Sequence, residues 1–264
     1  MTETGLAREE QQLRPGETLD ELGSGDLKII QQRDGYRFSL DPVLLCAFAR
    51  IACGDTVVDL GSGSGIIPLL LARRSPASRI IGIERQPELA ERSRRSVAWN
   101  DLAARIDIHR ADLREIRRLL GAESAQVVVS NPPYRPMDSG RISPASERAQ
   151  ARHEVAGDLR DFIAAAAYLL GTGGRFYLVY LAERLAELLS CLRQAGLEPK
   201  RLRCVHSRPE AEARLVLVES RRGGQCGMAL DPPLYIRQGG EYSAEVLGFY
   251  GEPPGGGHKP GPAG

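Results

Sequence analysis

What this sequence has least of narrows it first. Only 5% of its 264 residues are aromatic, with a single Trp, and four are His. No apolar run approaches the ~18 residues that a membrane-spanning helix needs. The segment from Met1 to Gly23 is polar, with interspersed Glu and Arg, and lacks the apolar core of a signal peptide. A cytoplasmic location with no membrane partner is the expectation. The five cysteines (Cys46, Cys53, Cys191, Cys204 and Cys226) are odd in number and form no Cys-x-x-Cys pair. That argues against a zinc site or a disulfide framework, and nothing specifies a metal. An excess of one charge is also missing: 35 Lys+Arg against 34 Asp+Glu leave +1. Whole-chain electrostatics therefore neither require nor exclude a nucleic acid.

What is present is ordinary for a globular chain, 42% hydrophobic and 26% charged, which excludes a disordered or collagenous protein. Residues 1–25 are expected to be a flexible segment and residues 26–250 one domain. Residues 251–264, dense in Gly and Pro, have too little apolar surface to order and are expected to form a disordered tail. Asp26 to Gln31 and Tyr36 to Leu40 flank Arg33-Asp34-Gly35, the pattern of a short hairpin. Asp41-Pro42 reads as an N-cap and first helical position ahead of the apolar Val43–Ala52. Strand-like runs follow at Thr56–Leu60, Arg79–Ile83, Ile106–His109, Gln126–Ser130, Gly174–Leu181, Pro199–His206 and Arg214–Glu219. Helix-like segments at Ile67–Arg73, Pro87–Asn100, Leu113–Leu120, Leu159–Leu170 and Ala182–Ala195 separate all but the last two. The alternation predicts a doubly wound α/β sheet of parallel strands, closed at one edge by an antiparallel hairpin.

Glycines at Gly61, Gly63 and Gly65 follow the first core strand directly and precede a helix. Ligands of open parallel sheets sit outside the carboxyl ends of the strands, where a side-chain-free turn lets them approach the backbone. The spacing is G-x-G-x-G, not the G-x-G-x-x-G of dinucleotide folds, and Asp59 stands just before it. An acid there suits a cationic or amine-bearing ligand better than a phosphate. Glu84 closes the second strand at the spacing of an acid that accepts from a ribose diol. Asp112 follows the third strand, placed to accept from an adenine amino group with Leu113 beside it, or to cap a helix, or both. S-adenosylmethionine, with an amino group, a sulfonium and no phosphate, fits Asp59, Gly61, Ser62, Gly63, Gly65, Glu84, Asp112, Leu113 and Asn131 as a cofactor site.

The fourth strand runs into Asn131-Pro132-Pro133-Tyr134. The Asn131 amide oxygen and the Pro132 carbonyl can accept both hydrogens of a planar –NH2. Such an amine is a poor nucleophile because its lone pair is conjugated. Two acceptors favour the pyramidal nitrogen of the transition state and stabilise its growing positive charge. Tyr134 offers a flat face for a planar substrate, worth ~1–3 kcal/mol for a stacked nucleobase, so its hydroxyl is expected to be dispensable. Asn131, Pro132 and Tyr134 are the candidate catalytic residues.

These stretches, with Tyr36-Arg37-Phe38-Ser39-Leu40-Asp41 and Ala151-Arg152-His153-Glu154, resemble the bacterial tRNA1(Val) (adenine-37-N6)-methyltransferase family. These are S-adenosylmethionine-dependent amino-methyltransferases with an Asn-Pro-Pro-Tyr motif. The resemblance spans about residues 26–250. It implies a seven-stranded Rossmann-like methyltransferase sheet, N6-methylation of an adenine next to the anticodon, a tRNA partner and no obligate protein partner. Arg37, Phe38, Arg135, Arg152, His153, Arg201, Arg203 and Arg208 are the candidate substrate contacts. The loop from Arg135 to Gln150 is a candidate lid and the run from Arg193 to Arg222 a candidate basic edge for phosphates. Two alternatives stay open. A protein glutamine N5-methyltransferase would present a similar nitrogen to the same tetrapeptide, although such enzymes carry a sizeable helical domain ahead of the core and only a short polar stretch stands here. A non-catalytic RNA-binding module would have no need of Asn131 and the acids.

Overall fold

The computed structural model describes residues 13–22, 27–33, 39–134 and 157–250. Two strands, β1 (Glu17–Leu22) and β2 (Leu27–Gln32), pair antiparallel. Helix α1 (Asp41–Phe48) follows, and then β3 (Thr56–Leu60), α2 (Ile66–Arg74), β4 (Arg79–Glu84), α3 (Pro87–Trp99), β5 (Ile106–Arg110), a 3-10 turn (Leu113–Arg118) and β6 (Ala125–Ser130). The second half carries α4 (Leu159–Leu169), β7 (Leu170–Leu181), α5 (Leu185–Gln194), β8 (Leu197–His206) and β9 (Ala213–Arg222). Two-residue strands β10 (Ala229–Leu230) and β11 (Leu234–Tyr235) lead to a small hairpin, β12 (Arg237–Gln238) and β13 (Glu241–Tyr242), and to α6 (Ala244–Phe249).

Seven long strands form the main sheet in the order β8-β9-β7-β6-β3-β4-β5, parallel except for β9, which runs against both neighbours. β10 and β11 pair with β8 and bring the sheet to nine strands. Successive strand residues point to opposite faces, and the core divides accordingly. Val57, Ile80, Val127 and Val129 pack with α1, α2 and α3 on one face. Val58, Ile81, Val128 and Phe176 pack with the 3-10 turn, α4 and α5 on the other. The expected α/β architecture and its edge hairpin, β8–β9, are both present.

Three expectations need correction. The N-terminal hairpin pairs β1 with β2, so the segment read as flexible up to residue 25 contains a strand; most of the expected partner of residues 26–31, Tyr36 to Leu40, lies outside the described residues. Its polar sequence hid it, because β1 is held less by apolar burial than by one acid. Glu17, 8% exposed, receives both Nη atoms of Arg95 at 2.6 and 2.7 Å, Arg92 Nε at 3.3 Å and the Arg14 backbone N–H at 2.9 Å. β2 docks on the same helix, with the Ile30 N–H donating to Ser96 Oγ and the Lys28 N–H to Asn100 Oδ1. Residues 113–120, expected as a helix, contain instead a 3-10 turn over Leu113–Arg118. Its two buried side chains, Leu113 and Ile116, are spaced for three residues per turn. Asp41 does not cap α1. Leu40 is the N-cap and Asp41 the first helical residue, and the Asp41 carboxylate accepts from the Tyr134 hydroxyl.

Candidate active site

Strand register builds the site. Leu60 pairs with Ser130, and Glu84 with Arg110, so the carboxyl ends of β3, β4, β5 and β6 lie side by side. Ser130 Oγ donates to the Leu60 carbonyl at 2.9 Å, fixing the start of the tetrapeptide beside the start of the glycine loop.

The loop itself is pinned by backbone. The Gly61 and Ser62 N–H groups both donate to the Ile83 carbonyl at 2.9 Å, and the Gly63 N–H donates to Glu84 Oε2 at 2.8 Å. Glu84 Oε1 accepts from the Gln86 N–H. Gly65, at φ 87°, begins α2, and a Cβ there would lie 2.1 Å from Ser93 Oγ of α3, so no other residue fits. A Cβ on Gly63 meets nothing within 4 Å. The loop therefore presents open space at Gly63 and close packing at Gly65, as a cradle for a ligand requires.

The acids differ sharply. Asp59 is 0% exposed, and neither carboxyl oxygen has a hydrogen-bond partner among the described residues. Burial pushes its carboxyl up to about 7; the Ser62 side chain opposes this and the Glu84 charge adds to it. Burial also raises Glu84, against the Gln86 and Gly63 N–H groups. Asp112 accepts from the Arg114 backbone N–H as a cap at 3.0 Å and from that residue's guanidinium at 2.6 and 3.0 Å. These bonds hold its carboxyl below the usual range. Leu113 is buried beside it.

At the tetrapeptide, Pro132 is buried while Asn131 and Tyr134 are half-buried. The Tyr134 hydroxyl lies 2.7 Å from Asp41 Oδ2 and 2.8 Å from Asn131 Oδ1. Its ring packs edge-on against Tyr180, with centroids 6.0 Å apart. Arg184 donates to the Tyr134 carbonyl at 3.4 Å and sits over the Tyr180 ring. Sequence reading placed Asp41 in a matching stretch but missed its role, since nothing local shows that a residue 93 positions away is its partner.

The predicted substrate contacts separate. Arg37, Phe38, Arg135, Arg152 and His153, with the candidate lid, lie outside the described residues. Arg201 and Arg203 sit on β8, which β9 and β7 separate from β6. Arg201 pairs with Glu219 and Asp231, donates to the Phe48 carbonyl and covers the Phe48 ring at 3.8 Å. Arg203 pairs with Glu245. Both guanidiniums are spent on holding the sheet edge to its neighbours. Arg208 is exposed on the β8–β9 turn, which opens on the same sheet edge as Asn131 because β8 runs parallel to β7 and β6. Glu210 and Glu212, also exposed, offset Arg208 and Arg214 there. Among the described residues no group of His, Cys, Asp and Glu could hold a metal ion, and no helix is long and apolar enough to cross a membrane.

Comparison with known proteins agrees with this geometry. Residues 42–194 match the family described as Methyltransferase small domain. A tRNA1(Val) (adenine(37)-N6)-methyltransferase of Porphyromonas gingivalis is 34% identical over 70% of this chain and 74% of its own length. Its counterpart in Cronobacter sakazakii is 30% identical over 75% and 80%. Among solved structures, a predicted O-methyltransferase of Agrobacterium tumefaciens superposes with a TM-score of 0.64 at 23% identity, covering 80% of this chain and 95% of that one. A tRNA m1G37 methyltransferase of M. jannaschii gives 0.56 at 16% identity, over 80% and 55%. At these identities the structural likeness speaks for the fold alone.

Proposed function

From the premise that the chain belongs to the Methyltransferase small domain family and, within it, to the tRNA1(Val) (adenine(37)-N6)-methyltransferases, we infer that it transfers a methyl group from S-adenosylmethionine to the exocyclic amine of a tRNA adenine. The observation that carries this reading is the juxtaposition, fixed by the Ser130–Leu60 bond, of a glycine cradle with an amide acceptor at adjoining strand ends. The relatives' activity leaves no support for the glutamine or binding-module alternatives. A tRNA is met in the cytoplasm, and the proposal places the protein there.

The cradle fits the cofactor. Gly63 faces open space, Glu84 keeps unused acceptor capacity at the second strand end, and the buried Asp59 carboxyl gains from a cation held above it. Gly61, Ser62, Gly63, Gly65 and Glu84 would line the cofactor, with Leu113 as apolar wall; Asp59 acts from beneath the loop through its charge. Asp112, saturated by Arg114, serves first as the cap that shapes this wall. When bound, S-adenosylmethionine supplies an electrophilic methyl on a sulfonium. The chain's part is to orient and polarise the amine. Asn131 Oδ1 and the Pro132 carbonyl accept its hydrogens, drawing the nitrogen lone pair out of conjugation and stabilising the charge that develops on it. Tyr134 carries the base by stacking. No general base is needed, because the amine becomes strongly acidic once alkylated and sheds its proton afterwards.

The test is incubation with labelled S-adenosylmethionine and bulk tRNA, followed by nucleoside analysis. N6-methyladenosine is the expected product. Label appearing in protein glutamine, or in another nucleoside, overturns the reading.

A further inference from the structure

Tyr134 has one hydroxyl proton and, among the described residues, two acceptors within hydrogen-bond distance, Asp41 Oδ2 at 2.7 Å and Asn131 Oδ1 at 2.8 Å. The two acceptors are unequal. A carboxylate binds an O–H about twice as strongly as a neutral amide oxygen does. Asp41 is also not the N-cap its position suggests, since Leu40 holds that place at the start of α1. Meanwhile Asn131 Oδ1 is the very atom that the substrate amine requires, and an amide oxygen already accepting from a phenol is a weaker acceptor held in one rotamer.

Resting on the function proposed above, we propose that Asp41 is a positioning residue for methyl transfer: it draws the Tyr134 proton to itself and so keeps Asn131 Oδ1 available to the incoming amine. The ring of Tyr134 is needed for stacking and brings an unwanted donor with it. Asp41 is the sink for that donor. The backbone on either side is already fixed, at Tyr134 by Arg184 and Tyr180 and at Asn131 by the Ser130–Leu60 bond. Loss of Asp41 therefore redirects a proton without dislodging the tetrapeptide.

This assignment makes an unusual prediction about paired substitutions. Asp41→Ala leaves the phenol to donate to Asn131, and kcat should fall about 3- to 10-fold, the worth of one ordinary hydrogen bond, with KM for tRNA unchanged. Tyr134→Phe removes the competing donor while keeping the ring, and its own rate is the baseline against which the double variant is read. In the double variant Asp41 has nothing left to restrain, so Asp41→Ala/Tyr134→Phe should recover the rate of Tyr134→Phe. A helix-start residue that is merely structural would give no such rescue. Asp41→Asn, which keeps an acceptor of lower strength, should fall between wild type and Asp41→Ala, and with Tyr134→Phe it completes the same cycle if Asp41→Ala does not fold, as thermal unfolding will show. A double variant slower than Tyr134→Phe by the same factor that separates Asp41→Ala from wild type, or a single Asp41→Ala at the wild-type rate, overturns the inference while leaving the function intact. A wild type that makes no N6-methyladenosine overturns both.

Discussion

Two buried acids occupy opposite circumstances in this molecule. Glu17, on the N-terminal hairpin, is 8% exposed, and Asp59, beneath the glycine loop, is 0% exposed. Burial alone raises a carboxyl, and at Asp59 it does, to about 7. At Glu17 the same effect is overcome by Arg95, the Arg14 N–H and Arg92, and the carboxyl is held at about 2. The difference is supply of partners. Glu17 is a completed lock between the hairpin and α3. Asp59 has no such partner among the described residues, and the S-adenosylmethionine proposed above would bring it positive charge. Burial of a charge is therefore no guide to its use until its partners are counted.

The contrast between lock and site can be sharpened by substitutions that separate activity from stability. The largest effect belongs at the site: Asn131→Ala should lower kcat by ~10²–10³-fold, the value of one transition-state acceptor, with unfolding and cofactor affinity unchanged. Single-turnover kinetics beside a cofactor titration checks this, and near-wild-type turnover would return the tetrapeptide to the status of a rigid turn. Glu17→Gln should do the reverse. It should cost about 3 kcal/mol of folding stability at neutral pH, the equivalent of a carboxyl at about 2 against an ordinary 4.5, with turnover preserved wherever the protein is folded. Urea unfolding measures it, and its pH dependence gives the sign. The Glu17 contribution is complete above about 4.5 and fades as pH falls toward 2, because the folded carboxyl holds its charge longer than the unfolded one.

Asp59→Asn should separate the two acids further, with an effect of opposite sign. Folded Asp59 keeps its proton up to about 7, whereas the ordinary value is 3.8. Wild-type stability should therefore decline as pH rises through that window and level off above it. The Asn variant should lack that decline and be the more stable of the two at pH 8, while binding S-adenosylmethionine more weakly by calorimetry. Parallel pH curves for variant and wild type would break the comparison. The smallest effect is expected at Arg208→Ala, which should reduce the salt dependence of tRNA binding by about one counterion. Arg201→Ala should instead loosen the β8 edge, because its guanidinium is bound to Glu219, Asp231 and the Phe48 carbonyl. A change of salt slope at Arg201 and none at Arg208 would restore the basic edge as first read.

What could be read from the sequence was what is local. Asp59 to Gly65, Glu84, Asp112 and Asn131 to Tyr134 each follow a recognisable strand, and strand alternation was enough to place them on one sheet edge. The remainder depends on pairings across long separations. β1 looked like polar coil because Arg92 and Arg95 lie 75 and 78 residues from Glu17. The positive run on β8 looked free because Asp231 and Glu245 lie far along the chain from Arg201 and Arg203. Asp41 looked like a cap because Asp-Pro is a good helix start, and its engagement with Tyr134 appears only once α1 is packed on the sheet. Composition registers such charges but not their cancellation.

The order of strands in the sheet departs from their order of synthesis at two points, the return from β5 to β6 beside β3 and the far edge at β8. β8 is made before β9, yet β9 lies between β8 and the rest of the sheet, and β10 and β11, the other partners of β8, come later still. When residues 197–206 leave the ribosome, none of their sheet partners exists. The half of the protein carrying the glycine loop and the tetrapeptide can assemble as it emerges, because β3, β4, β5, β6 and β7 pair with one another. The far edge must wait and then dock as a finished hairpin. A chain cut short after β8 would expose β7 along the flank that β9 covers and leave β8 with nothing to join. Nascent-chain folding should thus show two stages, with the catalytic half settled before the edge closes.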